Sequence, residues 1–458
     1  MHFDTDAVRA QFPALALRFP EYDGQPAVFF DSPGGTQVPQ SVIDAVSGYY
    51  RDTNANGGGT FLSSQRTDAV ARSARQAMAD LLNAPDPDTI LFGPSMTTLT
   101  FHLANAIRRT LKPGDEIVVT TLDHDANVTP WTDMEEAGAI IKVVDIHPED
   151  STLDMESLAE ALTSRTRLVA VTHASNATGT IPNVAEIIRM AHAVGALVFI
   201  DAVQFAPHGL IDVQALDCDF LACSAYKFFG PHIGVLYGKR EHLERFTPQK
   251  VRPAKDVIPY RWEMGTPNYE GLAGTTAAID HLAEVYTHVG SARATVTQRS
   301  DAESETSISP LSLTKNEWEG EGLGVRADTD CKNDRRRNLE ASMNAIQQHE
   351  QGLAERLIEG LLRFDDLTIY GLTDTLRAAE RVPTVAFTWK RLAPRPTAAH
   401  LAAQGIHCWS GNYYALRLME RLGLEETGGA VRIGLAHYST ADEIDRLLTA
   451  LDAVPSKS

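Results

Sequence analysis

Cysteine is scarce in this chain of 458 residues: Cys218, Cys223, Cys331 and Cys408 are all there is, with no Cys-X-X-Cys pair and no spacing to histidine that suits a metal. No metal site is expected from them. Two lie in or beside an apolar run, where a free thiol acts as a small hydrophobe. This usage suits a reducing, cytoplasmic setting. No stretch approaches the roughly 18 consecutive apolar residues of a membrane span. The opening Met1-His2-Phe3-Asp4-Thr5-Asp6 has no basic region leading into an apolar run, so no secretory signal is expected. Basic charge is short as well. Lys and Arg number 41 against 60 Asp and Glu, a formal net charge of -19, which argues against nucleic acid or an anionic membrane as a main partner.

What is present is the composition of a globular protein with a sizeable core, 43% hydrophobic and 22% charged. The length allows two or three domains at roughly 150 residues each. From about residue 85 to 240, short apolar runs alternate with helical patterns. The strand-like runs are 89–92, 116–120, 140–144, 168–172, 197–200, 220–223 and 234–237, with helices over 97–109, 155–163 and 184–194. Several runs are continuously apolar rather than alternating, as in strands buried on both faces. The pattern predicts an α/β domain with a mostly parallel sheet, whose ligands bind beyond the carboxyl ends of the strands. Helices over 272–286 and 337–362, strands at 367–370 and 384–388, and a helix after Ser439 then read as a smaller α/β domain. The polar stretch between them is too long for an ordinary connection and too polar to order itself.

Lys227 stands in Ser224-Ala225-Tyr226-Lys227-Phe228-Phe229, just after the apolar run 220–223. An ammonium with apolar neighbours loses hydration, its pKa falls, and the neutral amine becomes a nucleophile toward aldehydes. That is how a lysine holds pyridoxal phosphate as a Schiff base. Asp201 closes the preceding run, Leu197-Val198-Phe199-Ile200. A carboxylate at the end of a buried strand needs a cation or donor, and a protonated pyridine nitrogen is one. Gly93-Pro94-Ser95-Met96-Thr97-Thr98 follows a strand and opens a helix, where backbone N–H groups and hydroxyls bind anions. Ser224 offers a further hydroxyl beside the lysine.

Together with Asp123-His124-Asp125-Ala126-Asn127, Ser175-Asn176-Ala177-Thr178-Gly179, Asp201-Ala202-Val203-Gln204 and Gly265-Thr266-Pro267-Asn268, these segments resemble the class V aminotransferases, and among them the cysteine desulfurase and selenocysteine lyase branch. The resemblance implies the pyridoxal-phosphate-dependent transferase fold of type I, as in aspartate aminotransferase. It implies a large domain with a mostly parallel sheet plus a smaller C-terminal α/β domain, and a homodimer with active sites at the subunit interface. The expected divisions are an N-terminal segment 1–25 packing on the small domain, a large cofactor-binding domain 26–270, a connecting helix 271–291, a disordered polar insertion 292–335 and a small domain 336–458. By the same resemblance Lys227 forms the Schiff base and shuttles protons, and Asp201 pairs with the pyridine nitrogen. His124 stacks on the ring and Gln204 reaches its hydroxyl. Ser95, Met96, Thr97 and Ser224 hold the phosphate, joined by Thr266 from the partner subunit. Asn176 and Arg432 face the substrate carboxylate, for which a guanidinium fork is suited.

The chain departs from the family pattern twice. Tyr226 stands where histidine usually precedes the lysine, and its hydroxyl is able to donate to phosphate. In the loop Gly405-Ile406-His407-Cys408-Trp409-Ser410-Gly411-Asn412-Tyr413-Tyr414, the position of the persulfide cysteine falls on Tyr414, and Trp409 replaces an expected arginine. Cys408 lies six positions earlier. The expectation is an enzyme acting on an amino acid, desulfurase-like but without the persulfide step, with Trp409 and Tyr414 shaping a larger pocket and a C–S bond cleaved by β-elimination. The alternatives are an aminotransferase or epimerase for a bulkier amino acid, and a catalytically inactive cofactor-binding partner protein.

Overall fold

The computed structural model describes residues 3–290 and 328–455. After a short N-terminal helix, Thr5–Arg9, the chain enters strand β1 (Val28–Phe29) and the helices Gln40–Asp52 and Leu62–Leu82. The strands that follow are β2 (Ile90–Gly93), β3 (Glu116–Thr120), β4 (Ile140–Val144), the small hairpin β5 (Ile146–His147) and β6 (Thr152–Leu153), then β7 (Thr166–Thr172), β8 (Leu197–Asp201), β9 (Phe220–Ser224) and β10 (Gly234–Gly238). Seven of them form one sheet in the order β2-β10-β9-β8-β7-β3-β4. Every pairing that omits β10 is parallel, and β10 runs antiparallel between β2 and β9. β3, β9 and β10 are buried along their whole length. The continuous apolar runs predicted this, since helices cover both faces of a parallel sheet.

Side-chain caps set the start of several helices. Ser95 accepts the N–H of Thr98 at 3.1 Å to open Met96–Arg108. Asn183 does the same for Val184–Ala193, and Thr440 with Glu443 makes a reciprocal box at Ala441–Asp452.

A second sheet is built from β11 (Leu367–Tyr370), β12 (Thr384–Trp389), β14 (Trp409–Gly411) and β15 (Ala430–Gly434), in the order β11-β12-β15-β14, all antiparallel. β13 (Ile406–His407) pairs in parallel with β1. Val28 and Phe30 therefore join Val385, Phe387, Val431 and Ile433 in the core of this sheet, beneath Leu353, Leu357 and Leu361 of the long helix Asp328–Leu361. So it is the segment around β1 that carries the N-terminal region onto the smaller sheet. Of the residues before it, Val8, Phe12 and Leu15 belong to the core of the larger sheet, while Arg9 reaches Glu443 at 2.9 Å.

The insertion expected over 292–335 lies outside the described residues as far as 327. From Asp328 the chain is helical, nine residues before the start read at 337, because that polar segment continues the long helix. Among the described residues no helix is long and apolar enough to cross a membrane.

Candidate active site

The carboxyl ends of β2, β7, β8 and β9 open into a cavity of about 890 Å³, closed from the other side by Pro33, Gly34 and residues 409–414. Ser95, Met96, Thr97, His124, Asn176, Asp201, Gln204, Ser224, Tyr226, Lys227, Trp409, Tyr414 and Arg432 all line it. Thr266 does not. It is exposed in the segment before the helix Tyr269–Gly290.

Lys227 ends a single tight turn that follows β9. Its side chain is 7% exposed, and its amine donates to the carbonyl of Pro33. Gln204 Nε2 donates to the same carbonyl at 2.8 Å. Burial, aided by the Arg432 guanidinium, brings the lysine from 10.5 down to about 7, against the pull of Asp201 and Asp31. Near neutrality about half of it is therefore an uncharged amine.

Asp201 ends β8, in register with Thr172 of β7 and Ala222 of β9. Its Oδ1 accepts the N–H of Val203 at 2.9 Å, a neutral donor rather than a cation. Burial pushes the carboxyl up to about 6 despite that hydrogen bond and Lys227. Behind it Asp123 is buried against Thr120 and Asn127, and burial holds its carboxyl far above the usual range. His124 accepts the N–H of Ala126 on Nδ1 at 2.9 Å, which leaves the proton of the neutral ring on Nε2. Burial and Lys227 lower this imidazole to about 4, so His124 presents a flat, uncharged ring.

At the end of β2, Ser95 Oγ lies 2.8 Å from Thr98 Oγ1. Met96 and Thr97 begin the helix, where N–H groups have no intrahelical acceptor. β10 comes so close here that a Cβ on Gly234 would run into the Ser95–Met96 backbone. The absence of a side chain at 234 keeps this cradle in place.

On the opposite wall, Arg432 donates from Nη1 to the carbonyl of Asn176 at 2.8 Å, and its guanidinium sits 4.2 Å from the Tyr413 ring centroid. Arg432 Nε and Asn176 Oδ1 are both buried with no hydrogen-bond partner among the described residues. Burial lowers the guanidinium only to about 10, so it stays charged. An unfilled donor beside an unfilled acceptor suits a ligand carrying both a carboxylate and an N–H or O–H group.

Trp409 pairs with Arg432 in the β14–β15 register and is 52% exposed at the mouth. Tyr413 and Tyr414 both adopt left-handed backbone, with φ of 55° and 58°. The turn is pinned by Asp125 N–H to the Tyr414 carbonyl at 2.7 Å, Asn176 Nδ2 to the Tyr413 carbonyl at 2.8 Å and Tyr413 hydroxyl to the Ala430 carbonyl. The Tyr414 ring, 73% exposed, faces His124 at 5.6 Å between centroids. Cys408 is not on the cavity. It packs against the core of the smaller sheet, and burial pushes its thiol up to about 12, which disfavours the thiolate form. Tyr226 stacks on His232 at 4.7 Å.

These side chains fit a phosphorylated pyridine aldehyde. They supply a desolvated amine, a buried carboxylate without a cation, a neutral ring across the cavity and free N–H groups at a helix start. Sequence reasoning did not single out Pro33, whose carbonyl gathers Lys227 and Gln204, nor Asp31 just before it. The one signal was a Pro-Gly turn after an apolar run.

The Aminotransferase class-V family model matches residues 28–305 and 338–447. A cysteine desulfurase of Pectobacterium atrosepticum is 33% identical over 471 residues, covering 99% of this chain and 98% of its own. The aminotransferase-like protein FGM3 of Gibberella zeae is 33% identical over 467 residues, with the same coverage of 99% and 98%. Among solved structures, the apo cysteine desulfurase from Thermococcus onnurineus NA1 superposes with a TM-score of 0.79 at 25% identity, over 99% of this chain and 98% of that one. The cysteine desulfurase CsdA (S-sulfonic acid) from Escherichia coli gives 0.75 at 27% identity over 99% of each chain.

Proposed function

Since the chain belongs to the class V aminotransferases, whose members use pyridoxal phosphate, we propose that it is a C–S lyase. It would act on an amino acid bulkier than cysteine and cleave the bond by β-elimination, without storing sulfur on the protein. The observation that carries this reading is Tyr414. It occupies the cavity mouth at the position where the desulfurase-type loop would present its nucleophile, while Cys408 is turned into the core of the smaller sheet with its thiol pushed up to about 12.

When bound, the cofactor supplies an electron sink next to the substrate's α-carbon. Lys227, Asp201, Ser95, Met96, Thr97, Ser224, Tyr226, Gln204 and His124 would hold it, with Thr266 contributed by the partner of a homodimer. Arg432 and Asn176 would fix the substrate carboxylate. The Lys227 amine, held near neutrality, removes the proton on Cα. The Cβ–S bond then breaks with its electron pair going to sulfur, which leaves as a thiol or thiolate. The remaining three-carbon fragment, still carrying the amino nitrogen, is hydrolysed by water to pyruvate and ammonia. The cavity of about 890 Å³, within the roughly 300–1,000 Å³ of small-molecule sites, has to take the cofactor together with the substrate. Trp409 and Tyr414 give its mouth an aromatic rim suited to a bulky or thioether-bearing side chain.

The test is a comparison of L-cysteine with S-substituted cysteines, assaying sulfide, thiol, pyruvate and keto acids. Thiol and pyruvate in equal amounts from the S-substituted substrates, unchanged in Cys408→Ala, are expected. A keto acid that keeps the intact side chain would replace the lyase reading with transamination. A persulfide on Cys408 would overturn the claim that no sulfur is stored.

A further inference from the structure

Asp31 lies on the strand that crosses to the smaller sheet, one residue before Ser32-Pro33 and bridged to Gly434. Alternation fixes which way it points. Val28 and Phe30 are in the core of the smaller sheet, as are Val431 and Ile433 of the neighbouring β15. Phe29 is in the core of the larger one. Asp31 and Arg432 therefore both face the larger sheet. Electrostatically, Asp31 responds to His407 from β13, Arg432 from β15 and Lys227 from the turn after β9. Cys408 and Tyr438 respond to it in turn. Asp31 is the carboxylate felt by Arg432. Yet the two make no bond. Asp31 Oδ1 and Arg432 Nε are both buried without a hydrogen-bond partner among the described residues.

A carboxylate in direct contact with Arg432 would use up the donors that a ligand needs. One held back offsets the buried positive charge and leaves the fork free. When a second carboxylate arrives, two anions share one guanidinium in a poorly hydrated place. Like charges so arranged do not both stay ionised easily. The incoming group is fixed to Arg432. Asp31, already raised by burial, is the anion that gives way.

We propose that Asp31 is a stand-off counter-ion to the carboxylate grip, balancing Arg432 while the grip is empty and taking up one proton when a substrate carboxylate occupies it. This rests on reading Arg432 as that grip. Asp31 is thereby a positioning residue that makes substrate affinity depend on pH. A raised carboxyl that binding raises further takes up a proton on binding, so affinity increases as pH falls through the range in which Asp31 titrates.

The probe is 3-phenylpropionate, a carboxylate with no amine, added to the cofactor-loaded protein. Calorimetry in two buffers of different ionisation heat counts the protons, and the visible absorbance of the cofactor is followed alongside. The wild type should take up protons on binding, with absorbance unchanged. Asp31→Asn should abolish the uptake, flatten the pH dependence and, at a pH where Asp31 is ionised in the free protein, bind the probe about a hundredfold more tightly, the worth of the two pK units that uptake of nearly a whole proton requires. Asp31→Ser should behave the same way. Arg432→Ala should lose the probe. If Arg432→Ala binds as the wild type does, the grip reading itself fails. If Arg432→Ala loses the probe while Asp31→Asn keeps wild-type uptake, or binds more weakly, the Asp31 proposal is overturned and the grip stands. Should neither Asp31 variant fold, zero uptake by the wild type, or uptake matched by a change in cofactor absorbance, overturns it as well.

Discussion

Replacing Lys227 by methionine in the cofactor-free protein leaves an unbranched side chain one atom shorter and removes its charge. The folded protein holds this amine at about 7, against 10.5 when it is free in water. Between those values the unfolded chain carries a proton that the folded one has released, so the lysine makes wild-type stability rise with pH across this window. Each pH unit is worth about 1.36 kcal/mol. Ionisation of Lys227 then favours the unfolded chain by roughly 4 kcal/mol at pH 7 and by almost nothing above pH 10.5. At 7% exposure the side chain has little solvent to screen this cost. Urea unfolding of both proteins without cofactor, from pH 7 to about pH 10, measures it. Packing differences between lysine and methionine add a constant offset, so the diagnostic quantity is the change with pH. The methionine variant should lead by several kcal/mol at pH 7, and its lead should shrink steadily toward pH 10. A lead that is constant or grows with pH would refute the assignment of a desolvated amine at this position.

Gly234→Ala should fold but lose cofactor affinity by about one order of magnitude, because its methyl group displaces the Ser95–Met96 backbone. Fluorescence titration with pyridoxal phosphate checks it. Asp201→Asn removes the one buried carboxylate at the end of β8 while keeping its shape. Turnover should fall roughly a hundredfold, as when a preorganised charge at a reacting group is lost, with a smaller loss in cofactor affinity, read from steady-state kinetics and the same titration.

The strands of the larger sheet were legible because burial on both faces demands apolar runs without interruption, as in Phe220-Leu221-Ala222-Cys223. Polar residues then stand out where such runs stop, and Asp201, Ser224 and Lys227 were found there. The smaller sheet was read only in part. β14 has three residues and carries the cavity-facing Trp409 and Ser410, so no alternation identifies it. β1 has two residues, and its partner β13 lies at the other end of the chain. Asp31 was illegible for that reason, since what makes it part of the site is a pairing that local sequence does not encode. The left-handed turn at Tyr413 and Tyr414 was hidden too, because such backbone normally advertises itself through glycine or asparagine.

That turn also bears on protein engineering. Two consecutive tyrosines are held in a backbone region that L-residues other than glycine, asparagine and aspartate seldom occupy, by hydrogen bonds from Asp125 and Asn176 and to Asn412 and Ala430. A cysteine grafted at 414 would inherit the tether. Sulfur relay to an acceptor outside the cavity calls for a nucleophile that travels, and this one would be moored at four points. On the proposed lyase reading, converting the protein into a sulfur donor is thus a matter of exchanging the whole segment from Trp409 to Ala415, together with its anchors, rather than one side chain.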